Sequence, residues 1–119
     1  MSDNCDFQSV LDILVGKWKP LIMFQLFSNG TMRFSELQRA IPDITKKMLT
    51  SQLRELEYHD IVRRKVYHQV PPKVEYSISE HGKGMAAVLE PMNAWGMAHI
   101  KHLNELYGED RQAREAVRE

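Results

Sequence analysis

Apolar positions in the first part of the chain repeat every three or four residues, which is the spacing of amphipathic helices. Residues 7–15 carry one such stripe, formed by Val10, Leu11 and Leu14, and Gly16 ends it in the manner of a helix C-cap. A second helix is predicted from about Lys17 to the turn residues 28–30. We expect this second helix to be buried through its apolar residues, which are Trp18, Leu21, Ile22, Phe24 and Leu26.

A third, short helix is predicted after an extended stretch at residues 32–34. Ser35 and Gln38 have the spacing of a capping box, in which each side chain bonds a free backbone N–H of the other residue. The helix should therefore begin at Ser35. It should end near Ile41, because Pro42 disfavours helical geometry in the residue before it.

A fourth helix is predicted from Thr45, its N-cap, to about Tyr58, and its two faces differ in composition. One face carries Met48, Leu49, Gln52, Leu53 and Leu56. The other is basic, small and polar, and carries Lys46, Lys47, Thr50, Ser51 and Arg54. Cations that meet phosphates and short hydroxyl side chains that approach base edges suit a DNA major groove. A merely solvated helix face has the same composition, so this helix alone does not decide its role.

Two runs of alternating residues follow the fourth helix and predict an antiparallel hairpin. Residues 62–70 and residues 74–78 alternate between apolar and polar positions, with Pro71 and Pro72 between them. Two short helices, a helix with a basic outer face and a basic hairpin follow one another in the order of a winged helix. We therefore predict an α+β, mainly α fold, a winged helix-turn-helix with a two-stranded wing and terminal dimerisation helices.

The last helical region is predicted to begin at a Ser79 cap and to run to about Tyr107, with an interruption at Pro91. Its apolar stripe is long for so short a chain, so we expect it to form the seam of a homodimer. The predicted dimer residues are Met85, Val88, Met92, Trp95 and His99. One domain is expected over residues 1–107. The polar and charged tail, residues 108–119, is expected to be flexible.

The formal net charge of zero argues at first against a nucleic-acid partner, but the charge is unevenly distributed. Residues 33–73 hold nine basic side chains against five acidic ones, which suggests one basic face, although such runs are also common on solvated surfaces. The predicted contacts to double-stranded operator DNA are Arg33, Ser35, Lys46, Lys47, Thr50, Ser51, Arg54, Arg63, Arg64, Lys65 and Lys73.

Five segments, taken in order, resemble the HxlR-type (MarR-like) regulators. They are Cys5, Gly16-Lys17-Trp18-Lys19, Arg33-Phe34-Ser35-Glu36-Leu37, residues 47–56, and Val70-Pro71-Pro72-Lys73-Val74-Glu75-Tyr76-Ser77. The resemblance covers about residues 5–99 and implies a dimeric bacterial repressor or activator. It also implies that the helix from Thr45 is the recognition helix, that residues 62–79 are the wing and that the terminal helices form the dimer. Pro91 lies closer to Trp95 than the proline often found in this helix of the family, which leaves the dimer geometry open.

Cys5 has two interpretations. It stands where some members of that family sense oxidants or electrophiles, and a thiolate there would make the regulator responsive to an oxidant or small-molecule signal. It is equally well a small, inert apolar residue under the first helix. Because the chain has a single cysteine, a disulfide switch would need a Cys5 pair between subunits or an adduct with a small thiol.

Other classes of function find little support in the sequence. No phosphate loop or catalytic set is present, so we predict no enzyme and no cofactor. His99, His102 and Glu105 are spaced as metal ligands on a helix, but no further ligand completes a shell, and we predict no metal site. The N-terminus lacks the features of a signal peptide, and no long apolar run is present. We therefore predict a cytoplasmic protein that does not associate with a membrane. The alternative function is a winged-helix protein-interaction module that does not bind DNA.

Overall fold

The computed structural model describes residues 6–108. The chain divides into two compact units, which we call the winged-helix unit (residues up to 86) and the C-terminal unit (residues from 87). The elements of the first unit are α1 (Phe7–Leu14), α2 (Trp18–Asn29), β1 (Met32–Arg33), α3 (Phe34–Ala40), α4 (Lys46–Tyr58), β2 (Val62–Tyr67) and β3 (Lys73–Ile78). A 3-10 turn, Gly82–Met85, then leads into the last helix, α5 (Ala86–Tyr107).

The sheet has three antiparallel strands in the order β1-β3-β2. The hairpin predicted from the alternation is confirmed, and its register pairs Val62 with Ile78 and Lys65 with Glu75. The sequence predicted a two-stranded wing. The structure adds β1 to the free edge of β3, where Met32 pairs with Tyr76. The result is the mainly helical, winged-helix architecture that the sequence predicted.

The core of the winged-helix unit forms around α2, which packs against α1, α3, α4 and β3. Its buried side chains come from every element from α2 to β3, and they include Ile22, Met23, Leu26, Leu37, Ile41, Leu49, Leu53, Leu56, Ile61 and Tyr76. The expectation that α2 buries all of its apolar residues is wrong for Leu21 and Phe24, which are 40% and 45% exposed. Met23 takes a core position instead, because the buried face follows 22, 23 and 26.

An ion pair between a buried lysine and a half-exposed glutamate joins α2 to α4. The Lys19 ammonium lies 2.6 Å from the Glu55 carboxylate, and only 8% of the Lys19 side chain is exposed while half of the Glu55 side chain is. Burying an ammonium is costly unless an acceptor meets it. The carboxylate of Glu55 therefore allows Lys19 to pack in the core and ties the orientation of α4 to that of α2.

The start of α3 differs from the prediction. The helix begins at Phe34 and not at Ser35, so Ser35 does not act as the cap. The Glu36 carboxylate accepts a hydrogen bond of 2.8 Å from the Arg33 backbone N–H, which satisfies the donor at the helix entry. Gln38 instead donates its side-chain amide to the Ile44 carbonyl at 3.5 Å. Glu36 prevails because a carboxylate is a stronger acceptor than a neutral side chain.

The expected interruption of the last helix at Pro91 does not occur. α5 continues from Ala86 to Tyr107 with Pro91 inside it. Pro91 removes the bond that its own N–H would give to the Ala87 carbonyl. Both residues are exposed, so water can satisfy that carbonyl. Upstream, the Ser79 hydroxyl accepts a 2.8 Å hydrogen bond from the Gly82 N–H, as expected of a cap.

Candidate nucleic-acid interface

The fourth helix presents its basic face to solvent because its ends and its apolar face are fixed. The Thr45 hydroxyl accepts a 3.1 Å hydrogen bond from the Met48 N–H, which confirms the predicted cap. Leu49, Leu53 and Leu56 are fully buried on the inner face. The predicted outer residues Lys46, Lys47, Thr50, Ser51 and Arg54 are all exposed. This surface combines cations with short hydroxyl side chains on a rigid helix.

Glu57 connects the end of α4 to the base of the wing. Its carboxylate lies 3.1 Å from the Arg54 guanidinium on the same helix and 3.4 Å from the Arg64 Nε on β2. Arg64 lies opposite Tyr76 in the sheet, and Tyr76 is 5% exposed. Burial raises the pKa of the Tyr76 hydroxyl, and the charge of Glu57 raises it further. We call Arg54, Glu57 and Arg64 the Glu57 cluster.

A second cluster lies on the other face of the sheet, since neighbouring residues of a strand point to opposite faces. Glu75 is paired in register with Arg33 on β1 and with Lys65 on β2, and the Lys73 ammonium lies 3.4 Å from its carboxylate. The ammonium groups of Lys65 and Lys73 lie over the Tyr67 ring, at 4.9 Å and 4.5 Å from its centroid. A hydrogen bond from the Tyr67 hydroxyl and the charges of Lys73 and Arg33 lower the pKa of Glu75. We call these residues the Glu75 cluster.

The predicted DNA-contacting residues can be described in three groups according to the elements and carboxylates that position them. The outer face of α4 holds Lys46, Lys47, Thr50 and Ser51, the Glu57 cluster holds Arg54 and Arg64, and the Glu75 cluster holds Arg33, Lys65 and Lys73. Ser35 lies exposed at the start of α3, and Arg63 is exposed on β2, on the Glu75 side of the hairpin.

Sequence reasoning missed the two carboxylates and the tyrosine that organise these cations. Glu57 carried a local signal, since it lies three residues after Arg54 on a helix. Glu75 and Tyr67 carried none without the register, because the turn alone does not reveal which residues face each other.

The predicted dimer residues lie partly exposed. Met92 and Trp95 on α5 are 49% and 67% exposed, and the His99 ring stacks on Trp95 with 4.7 Å between ring centroids. Met85 and Val88 are half-buried. A second exposed apolar stripe runs through Phe7 and Leu11 on α1 and Val15 directly after it, and of these three the sequence prediction had named only Leu11. Cys5 lies outside the described residues.

Within residues 6–108, no three His, Cys, Asp or Glu side chains are grouped closely enough to hold a metal ion. In the same stretch, none of the helices combines the length and the apolar character needed to cross a bilayer.

Known proteins resemble this chain over most of its length. A family described as HxlR-like helix-turn-helix matches residues 13–104. The HTH-type transcriptional regulator YtcD of Bacillus subtilis is 47% identical over 106 residues, which are 89% of this chain and 81% of that protein. The redox regulator HypR in its reduced form matches with a TM-score of 0.78 at 44% identity, over 83% of this chain and 97% of that one. The reduced form of the regulator YodB from B. subtilis matches with a TM-score of 0.68 at 38% identity, over 80% and 90%.

Proposed function

The chain belongs to the HxlR-like helix-turn-helix family of transcriptional regulators, and from that premise we propose that it acts as a homodimer on a palindromic operator. As the sequence predicted, its relatives are regulators and not enzymes. The observation that carries the proposal is the exposed outer face of α4, where Lys46, Lys47, Thr50 and Ser51 extend from a helix whose other face is buried. This proposed function implies a cytoplasmic location, where the protein would meet operator DNA.

The outer face of α4 and the Glu75 cluster have separate roles in this proposal. α4 enters the major groove, where Lys47, Thr50 and Ser51 approach the base edges and Lys46 approaches a phosphate. The wing, with the Glu75 cluster, lies along the backbone or the minor groove and supplies contacts that do not depend on sequence.

The two exposed apolar stripes support a homodimer. Phe7 and Trp95 are large side chains that are 72% and 67% exposed. Contact between so much apolar surface and water is unfavourable unless another surface covers it. A twofold dimer covers the same stripe on both subunits and presents two α4 helices. The operator would then be a palindrome with half-site centres roughly 34 Å, or a multiple of that, apart.

Cys5 is the candidate sensor in this proposal. HypR is named as a redox regulator, and YodB has been solved after diamide treatment. Two Cys5 thiols of one dimer would form a disulfide by giving two electrons and two protons to the oxidant, or one Cys5 thiolate would be alkylated by an electrophile. The inert, packed cysteine is the alternative.

The test is a titration of the purified protein against DNA from upstream of its own gene, with a scrambled duplex of the same length as the control. We expect preference for the upstream DNA, and we expect Lys47→Ala to weaken binding about fivefold or more. The matched control is Lys83→Ala, which removes an exposed lysine paired with Glu80 outside α4 and the wing. Equal affinity for the two duplexes would favour the protein-interaction alternative, and equal loss in both variants would refute the placement of α4.

The sensing proposal is tested by repeating the titration after mild oxidation and after quinone treatment. We expect treatment to change the affinity of the wild type and to leave Cys5→Ser unchanged. If both proteins respond alike, or if neither responds, Cys5 is not the sensor and the signal acts elsewhere.

A further inference from the structure

The Glu57 cluster contains a carboxylate in the middle of a surface proposed to meet phosphates. The two carboxylate oxygens are used separately, since Oε2 pairs with Arg54 at 3.1 Å and Oε1 pairs with Arg64 at 3.4 Å. The Glu57 side chain is 21% exposed, whereas those of Arg54 and Arg64 are 50% and 38% exposed. The carboxylate therefore lies deeper than the two cations that it joins.

We propose that Glu57 is a specificity-determining residue of the DNA interface, which holds Arg54 and Arg64 in fixed positions and weakens binding to DNA of arbitrary sequence. The inference rests on the proposed function and adds a role for a residue of negative charge. Arg54 belongs to α4 and Arg64 to the wing. The Glu57 side chain therefore sets the relative positions of two cations on the two elements that are proposed to contact DNA.

Fixing the cations favours one arrangement of DNA over others. A guanidinium has five N–H donors, and one or two bonds to Glu57 leave the remaining donors free for phosphates or bases. Arg64 is held from its backbone as well, because it is paired with the buried Tyr76 in the sheet. Two arginines that are already oriented lose little conformational freedom when the matching DNA binds.

The negative charge acts on all DNA. Binding to arbitrary sequences is almost entirely electrostatic and rises with the number of phosphates that cations neutralise. Glu57 offsets part of the charge of Arg54 and Arg64 and repels phosphates that do not sit where the guanidiniums point. Its loss should therefore strengthen non-specific binding more than binding to the operator.

The experiment compares the wild type with Glu57→Gln, which keeps the shape of the side chain and removes its charge. Affinities for the preferred upstream duplex and for the scrambled duplex are measured over a range of salt concentrations. We expect non-specific affinity to rise about three- to tenfold and its salt slope to steepen by about one. Operator affinity should rise less, so the ratio of the two affinities falls. An equal change in both affinities, or no change in either, would overturn the proposal.

Two further variants separate charge from position. Glu57→Asp keeps the charge but is shorter by one methylene, so it no longer reaches both arginines as placed. We expect it to retain the wild-type salt slope and to lower the ratio of affinities. A wild-type ratio would mean that the bridge has no role in specificity and would overturn the proposal. Glu80→Gln removes an exposed carboxylate paired with Lys83 and should leave the ratio unchanged.

Stability and the premise are checked separately. Thermal unfolding of each variant shows whether α4 remains folded, and Glu57→Asp tests the proposal even if Glu57→Gln unfolds. A failure of the proposed function would appear in the wild type, as the lack of preference for any upstream duplex. A failure of the Glu57 inference would appear only as a ratio that the Glu57 substitutions do not lower.

Discussion

Gly82 lies where the chain leaves the sheet and passes close to the backbone that leads into β2. The Ile61 carbonyl accepts a 2.8 Å hydrogen bond from the Ser79 N–H, and the Ser79 hydroxyl in turn donates to the Asp60 carbonyl at 2.5 Å. Gly82 is buried beside this group, and a Cβ at its position would overlap the Ile61 carbonyl. The absence of a side chain is therefore required for this crossing.

We expect Gly82→Ala to lower the free energy of unfolding by about 1–3 kcal/mol, because the added methyl meets backbone that cannot move aside without breaking the Ser79 bonds. Gly84 provides a matched control in the same 3-10 turn, since a Cβ there meets nothing within 4 Å. Gly84→Ala should change stability by less than about 1 kcal/mol, in the stabilising direction. Urea unfolding of both variants decides the matter, and equal effects would contradict the steric argument.

Single residues were predictable where their signal is local. Thr45 as a cap and Ser79 before the last helical region follow from side chains that bond backbone within three residues. The prediction that Ser35 caps α3 was wrong. Ser35 and Gln38 have the spacing of a capping box, but the Glu36 carboxylate accepts the hydrogen bond from the Arg33 N–H at the helix entry. The roles of Gly82 and Lys19 depend on Ile61 and Glu55, which are distant in sequence, and no local pattern shows them.

At the scale of elements, periodicity predicted the helices and the hairpin well. The buried leucines of α4 recur at the spacing that the sequence showed, and the two strands pair as the alternation required. β1 has two residues, which are too few for alternation to reveal a partner, so its pairing with β3 was not predicted. The continuity of α5 through Pro91 was missed because exposure of the freed carbonyl depends on the tertiary structure.

The N-terminal turn of α4 links stability to the proposed DNA contact. Thr45 satisfies the Met48 N–H, and Lys46 and Lys47 follow directly on the first turn. We expect Thr45→Ala to lower the free energy of unfolding by about 1 kcal/mol, since a cap hydroxyl is lost. The amides of the first turn should exchange hydrogen faster, and operator affinity should fall because the two lysines are held less firmly.

Thr45→Ser is the control for that substitution, since it keeps the hydroxyl acceptor. It should resemble the wild type in urea unfolding, amide exchange and operator binding. If Thr45→Ser were as impaired as Thr45→Ala, the methyl group and not the cap would be responsible, and the link between the cap and the lysines would be refuted.

At the scale of the whole molecule, a net charge of zero conceals an organised surface. Glu57 pairs with Arg54 and Arg64, and Glu75 lies among Arg33, Lys65 and Lys73, whereas Lys46 and Lys47 extend from the exposed face of α4. Composition alone argued against DNA, and the distribution along the chain restored the hypothesis. The pairing of individual cations with Glu57 and Glu75 could be identified only from the folded structure.

The apolar stripe of α5 gives the last prediction, which concerns the assembly. Trp95 is 67% exposed and stacks on His99, in the middle of the proposed seam. Trp95→Asp removes a large apolar surface and places one carboxylate per subunit in the interface. Burying an unpaired charge costs several kcal/mol, and each 1.4 kcal/mol weakens association about tenfold. We therefore expect the dissociation constant of the dimer, measured by analytical ultracentrifugation, to increase at least about a hundredfold.

Asn104→Asp is the matched control, because it adds a carboxylate to an exposed position of α5 outside the predicted stripe. It should remain dimeric at the concentration at which Trp95→Asp is monomeric. Operator binding completes the argument, since a monomer holds one half-site and loses the second recognition helix that the dimer keeps close. A Trp95→Asp protein that sediments as a dimer and protects both half-sites would show that the subunits meet elsewhere, and the exposed stripe of α1 would then be the surface to alter next.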